Sequence, residues 1–225
     1  NSWPKQMKKK IKKSIILASS KGIGKSVALS LKSVSEKVVT LSSKDLDTSN
    51  LANVKKFIKK HKSVDVLVLN TGGPPSLDFK NITNKVWFKF FNQLFLSFSM
   101  ILRDMKINDN GYIFLISSFH IREINPKLII SNSLRVGFWS LLKSISFELA
   151  KKNITCVNVA PGPIDTDRLR NLNKDIPGLI QKLPLGRLGK ADEIGKLIKS
   201  IVQNDIKYIN GTTIFVDGGK SQSLF

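Results

Sequence analysis

Residues 18–24 read Ala18-Ser19-Ser20-Lys21-Gly22-Ile23-Gly24. An apolar run ends at Ala18 and helical spacing begins at Gly24, so the chain passes from a strand through glycines into a helix. Gly22 and Gly24 let the backbone come close to a phosphate. The helix N-terminus offers unpaired N–H groups and the positive end of a dipole, which suits a pyrophosphate. A Gly-x-Gly turn alone is weak evidence; its place between the first strand and the first helix is what gives it weight.

Outward from this turn, short apolar runs alternate with longer helical patterns. Strands are expected over 14–18, 37–41, 65–70, 111–117, 155–160 and 213–216, each ending where Gly, Ser, Asn or Pro begins a loop. Helices are expected over 24–32, 51–60, 83–107, 133–151 and 191–203. Such alternation builds an α/β fold of Rossmann-like type, a doubly wound parallel sheet with helices on both faces. Only nine residues separate the second strand from Leu51, too few for a crossover helix and a third strand, so the fold is abbreviated there and its adenine side more open. Asp45-Leu46-Asp47 is a candidate stub of the missing strand. Helix 83–107 carries Val86, Trp87, Phe88, Phe90, Phe91, Leu94, Phe95, Leu96 and Phe98 on more than one face. One face covers the sheet, and the other calls for a partner.

The chain has 225 residues with 41% hydrophobic and 24% charged content, enough for one cored domain, expected over 13–225 behind a basic extension at 1–12. Met7 is a candidate start, which the sequence leaves open. Cys156 is the lone cysteine and His61 and His120 are the two histidines, so neither an internal disulfide nor a paired-histidine metal site is expected, and a reducing, cytoplasmic setting is the default. The apolar run behind the basic segment 5–13 is too short for a signal peptide or a membrane span. A net charge of +21 attracts polyanions, yet only six of the 37 basic residues are arginine, the side chain that reads bases through its planar fork. An anionic cofactor or substrate accounts for that charge at least as well as nucleic acid, which is disfavoured as a partner.

The chain resembles the short-chain dehydrogenase/reductase family over nearly its whole length. Beside the glycine turn, Asn70-Thr71-Gly72 resembles the segment that ends the family's fourth strand and lines the cofactor. Ile116-Ser117-Ser118 resembles the strand end bearing the catalytic serine, which falls on Ser118. Pro161-Gly162-Pro163-Ile164-Asp165-Thr166 resembles the Pro-Gly loop, where Thr166 would hold the nicotinamide carboxamide. Residues 185–189 and 214–219 resemble the family's C-terminal segment. The resemblance implies an oxidoreductase that binds a nicotinamide dinucleotide through Ala18, Ser20, Lys21, Gly22, Ile23, Gly24, Ser43, Lys44, Asp45, Leu46, Asn70, Thr71, Gly72, Pro161, Gly162, Ile164 and Thr166, acts on a small-molecule substrate, and assembles as a homodimer or homotetramer through helices 83–107 and 133–151. For the cofactor, an acidic residue ending the second strand would grip the ribose hydroxyls of NAD, and Ser42-Ser43-Lys44 stands there instead. With Lys21 in the glycine loop, this favours NADP(H) over NAD(H).

The departures from the family bear on mechanism. Its Tyr-x-x-x-Lys segment, one helical turn apart, reads Ser131-Asn132-Ser133-Leu134-Arg135 here, and the helix asparagine of its water relay falls on Leu94. An aliphatic hydroxyl is a far weaker acid than a phenol of pKa about 10, so Ser131 cannot serve as the acid. Arg135 can hold ribose and offset negative charge without releasing a proton. His120, two residues beyond Ser118, is a further candidate acid or base. The chain is most similar in flavour to an atypical subgroup, resembling 3-oxoacyl-[acyl-carrier-protein] reductases, that lacks the tyrosine and lysine. The expected function is NADP(H)-linked hydride transfer between nicotinamide and a carbonyl or alcohol through a non-standard site of Ser118, Ser131 and Arg135. The alternative is a dinucleotide-binding sensor or assembly subunit that has lost catalysis.

Overall fold

A computed structural model of the chain describes residues 11–223. Met7 and most of the basic stretch lie outside them. Strands β1 (Ile11–Ile16), β2 (Ser35–Thr40), β3 (Ser63–Leu69), β4 (Lys106–Ile116), β5 (Thr155–Pro161) and β6 (Thr212–Val216) form one sheet in the order β2-β1-β3-β4-β5-β6, with every adjacent pair parallel. The order reverses between β1 and β3. In such sheets a crevice opens at that point, beyond the carboxyl ends of the strands.

Helices cover both faces. On one, α1 (Gly22–Leu31) and α8 (Ala191–Gln203) bring Val27, Leu31, Ile194 and Ile198 onto Ile16, Val66, Val68 and Phe114. On the other, α2 (Leu51–Lys60), α4 (Ser97–Asp104) and α5 (Ile129–Ala150) bring Val54, Phe57, Phe98, Ile101, Phe138 and Leu142 onto Ile15, Leu67, Leu69 and Leu115. Each such side chain contributes about 1.5–3 kcal/mol on burial. Coverage from both sides explains why β3 is apolar with hardly a break and buried from Val64 to Leu69. Two short helices, α6 (Asp167–Leu172) and α7 (Ile176–Gln181), follow β5.

Three sequence expectations need correction. Asp45-Leu46-Asp47 is not a strand stub: the Asp45 carboxylate accepts from the Ser42 N–H at 2.8 Å and its hydroxyl at 2.6 Å, closing a turn, and Leu46 is buried in the core. A second turn ends on Asn50, whose side chain caps α2 by accepting from Ala52 N–H at 3.0 Å and Asn53 N–H at 3.3 Å. The link from β2 to α2 is therefore turns alone, and β2 has no outer neighbour among the described residues. Helix 83–107 is really α3 (Asn84–Phe91), a widened turn over 92–96 with i to i+5 bonding, and α4. Met105 is already extended, and Ile107 pairs with Val64 in β4. Finally, β1 starts by Ile11, so Ile11 and Lys12 belong to the sheet and not to the basic extension.

Candidate dinucleotide and catalytic site

A cavity of about 660 Å³ opens at the carboxyl ends of β1, β3, β4 and β5. Its floor is the glycine turn. Ala18 at φ 47 and Gly22 at φ 55 both sit in left-handed backbone, which glycine adopts without strain and alanine does not. Ser19 ties the turn to β2, since its N–H donates to Leu41 O at 2.7 Å and its Oγ accepts from Leu41 N–H at 2.8 Å. The Asn70 side chain ties it to β3 through Nδ2–H bonds to Leu17 O at 3.3 Å and Ala18 O at 3.2 Å. Lys21, at the helix cap position, offers α1 no side-chain cap, and no acid stands in the first turn. Those N–H groups stay available to a diphosphate. A Cβ built on Gly72, across the crevice, meets nothing within 4 Å, so the cradle is open there too.

The positions expected from the sequence to be catalytic converge from two elements. Ser118 follows β4 and its Oγ accepts the His120 N–H at 3.2 Å, which leaves its own O–H to donate. From α5, Arg135 donates through Nη1 to Ile116 O at 2.8 Å and through Nε to Ser131 Oγ at 3.2 Å. Both Ser118 and Arg135 thus serve the same end of β4. Burial, and secondarily the charge of Arg168, pushes the Arg135 guanidinium down to about 10, so it remains a cation at neutral pH. His120 Nδ1 lies 2.8 Å from Glu123 O. A carbonyl oxygen only accepts, so Nδ1 carries the proton and Nε2 carries the lone pair. Burial holds this imidazole below its ordinary 6.5, outweighing the Glu123 bond and charge.

After β5, Thr166 caps α6, accepting from Leu169 N–H at 3.3 Å and donating to Ile164 O at 3.3 Å. Arg168 bends back across the crevice and donates through Nη2 to Pro74 O at 2.8 Å.

A family model described as enoyl-(acyl carrier protein) reductase matches residues 45–221. The 3-oxoacyl-[acyl-carrier-protein] reductase FabG of Buchnera aphidicola subsp. Baizongia pistaciae is 31% identical over 77% of this chain and 75% of its own length. The chain belongs to the short-chain dehydrogenase/reductase family. FabG of Rickettsia prowazekii is 28% identical over 92% of this chain and 96% of its own. Among solved structures, YwfH, an NADPH-dependent reductase of bacilysin biosynthesis, superposes with TM-score 0.84 at 22% identity, covering 95% of this chain and 100% of that one. A small-chain dehydrogenase in complex with NADPH superposes with TM-score 0.80 at 23% identity, over 93% and 98%. The last two speak for the fold.

As a short-chain dehydrogenase/reductase, the chain places Ala18, Ser20, Lys21, Gly22, Ile23, Gly24, Ser43, Asn70, Thr71, Gly72, Pro161, Gly162, Ile164 and Thr166 around the cavity with Ser118, His120, Ser131 and Arg135. Lys44, Asp45 and Leu46, expected to touch the cofactor, do not line it. Leu46 is spent in the core, and Asp45 closes the turn at Ser42. That turn therefore holds a carboxylate after all, kept ionised by the Ser42 hydroxyl and N–H, which hold it below the usual range. Asp45→Asn keeps an acceptor for Ser42, removes the charge, and is expected to raise the preference for NADPH over NADH, read as a ratio of dissociation constants.

Besides Arg168, a second residue escaped the sequence reading. The family's helix asparagine falls on Leu94, which is buried, but the widened turn aims its neighbour Gln93 at the 71–72 loop, where Nε2 donates to Gly72 O at 2.6 Å and Thr71 Oγ1 at 3.1 Å. The widening itself has no clear signature in the sequence.

Proposed function

We propose that the protein moves hydride between NADP(H) and a carbonyl or alcohol carbon of a small-molecule substrate, through a site in which Ser118 and Arg135 replace the usual serine, tyrosine and lysine. The observation that carries this reading is the convergence of the Ser118 hydroxyl and the Arg135 guanidinium on one end of β4. The residues around the glycine turn and Thr166 would hold the dinucleotide, whose nicotinamide would supply or take up the hydride. Ser118 donates a hydrogen bond to the substrate oxygen. Arg135 offsets the negative charge that develops on that oxygen, a form of stabilisation that costs no reorganisation when the charge appears. Neither Arg135 nor Ser131 gives up a proton at neutral pH. In the oxidative direction the His120 Nε2 lone pair accepts the alcohol proton, and in the reductive direction the imidazolium, reprotonated from water, returns it to the substrate oxygen.

Because burial lowers the His120 pKa, its neutral form prevails from 6.5 upward and is lost only as pH falls below that value. Alcohol oxidation is expected to decline on the acid side of 6.5, and His120→Gln to flatten that limb. A pH–rate profile that is identical in the variant excludes the role.

The cofactor assignment rests on Lys21 and Ser43 at the cavity and on the lack of an acidic residue directly ending β2. Fluorescence titration is expected to show NADPH binding at least tenfold tighter than NADH. Binding of neither overturns the proposal. A panel of ketones, quinones and 3-oxoacyl thioesters, followed by NADPH absorbance, then tests turnover. The absence of a phenol at position 131 supports a second reading, a dinucleotide-binding protein without catalysis, and cofactor binding with no turnover across the panel selects it.

Assembly is proposed through α3 and α5, where Phe88 is 68% and Phe147 is 72% exposed. A monomer in sedimentation velocity rejects this. No helix among the described residues is long and apolar enough to cross a membrane. The buried Cys156, its thiol pushed up to about 12 by burial, suits a cytoplasmic setting without requiring it.

A further inference from the structure

Two guanidinium groups share the cavity with no carboxylate paired to either among the described residues. Arg135 is held between Ile116 O and Ser131 Oγ. Arg168 reaches over the 73–74 backbone to Pro74 O, and its passage depends on Gly73, where a Cβ would lie 2.4 Å from Nη2. The acids beside Arg168 in sequence are engaged elsewhere: Asp165 pairs with Arg170 at 2.8 Å, and Asp167 lies 4.0 Å from Lys21. The Arg168 charge is one of the two influences that hold Arg135 below its ordinary range. Lys127 and Lys220 line the same cavity, and Asp167 is the lone acid along its wall among the described residues. Like charges brought together out of water destabilise one another, so a fold that keeps them together leaves a gain for any anion that enters between them.

The cofactor's diphosphate does not account for this pair. It has its own receptor in the N-terminus of α1 and the glycine turn, whereas Arg135 stands at the end of β4 beside Ser118. We propose that the substrate carries a carboxylate, seated between Arg168 and Arg135 while Ser118 holds the reacting oxygen. This deepens the hydride-transfer reading and rests on it for the word substrate. Arg168 then sets specificity, and the rim lysines draw the anion inward.

The test uses benzoate and cyclohexanecarboxylate against benzamide and cyclohexanecarboxamide, titrated into the full chain with and without saturating NADPH. Quenching of bound NADPH fluorescence is the readout in the first case, and protein-detected NMR shifts in the second. Each acid is expected to bind at least tenfold tighter than its amide, with the advantage shrinking at high salt. Arg168→Met is expected to bring acid and amide within about twofold, and Arg168→Lys to keep part of the advantage, which guards against a variant that merely misfolds. Equal binding of acids and amides to the native protein overturns the inference. So does an acid preference that survives Arg168→Met, or a loss of NADPH affinity in that variant as large as the loss of acid affinity, which would assign the guanidinium to the diphosphate. If NADPH fails to bind while the acid preference stands, the dinucleotide reading falls and the carboxylate site remains.

Discussion

Gly24→Ala is expected to abolish NADPH binding within the measurable range and to lower the melting temperature by several degrees. A Cβ at that position would stand 2.3 Å from Ala18 O and 2.7 Å from Asn70 Nδ2, and the first of these is backbone that cannot swing aside. Ala18 already sits at φ 47, and Asn70 holds both Leu17 O and Ala18 O, so the turn can relieve the clash only by breaking the bonds that shape it. Overpacking of this kind costs about 1–3 kcal/mol, and each kcal/mol lowers the melting temperature of a chain this size by roughly 2–4 °C. The instructive comparison is Gly72→Ala. Its Cβ meets nothing within 4 Å, so the melting temperature is expected to hold. A Gly24→Ala protein that binds NADPH as tightly as the native chain removes the glycine turn from the site.

Arg135→Met is expected to reduce kcat by 10²–10³-fold, the range found when a preorganised donor to a developing oxyanion is removed. Three losses combine: the charge beside the substrate oxygen, the bond to Ile116 O at 2.8 Å that fixes the strand end before Ser118, and the partner of Ser131 Oγ at 3.2 Å. Arg135→Lys restores the charge without the two-pronged hold and is expected to recover part of the rate. The double variant Ser131→Tyr, Arg135→Lys rebuilds the family's pair. If the native site is adapted and not lapsed, its activity is no higher than that of the native protein. Activity appearing only in the double variant reverses that conclusion.

The sheet was readable because strands covered on both faces must be apolar, and the runs around β3 and β5 are. The start of β4 was hidden, since Asn108, Asp109 and Asn110 interrupt the pattern and the strand register shifts beside them. With no Gly or Pro before Met105, helical apolar spacing ran on into what is a strand, and only pairing between Ile107 and Val64 decides the matter. Leu46 looked like part of a strand because its hydrophobicity reports burial, not backbone conformation. Helices α6 and α7 are six residues each, too short to show a period, although Thr166 and Asp175 are cap residues in plain view. The glycine turn and the loops after β3, β4 and β5 could be read from motif and position. Gln93 and Arg168 could not, because one depends on a widened helical turn and the other on a side chain that folds back 94 residues in sequence to reach Pro74.

The shortened link after β2 has a consequence for how copies of this chain behave in solution. Among the described residues β1 is the sole partner of β2, and the link that follows β2 adds no strand beyond it. Glu36 and Lys37 are exposed on β2, and the +21 charge of the chain adds long-range repulsion between molecules. That repulsion reaches about 10 Å at 0.1 M ionic strength and about 3 Å at 1 M. Colloidal stability is therefore greatest in dilute buffer, and concentrated salt, by silencing the lysines, lets copies of the chain meet more closely.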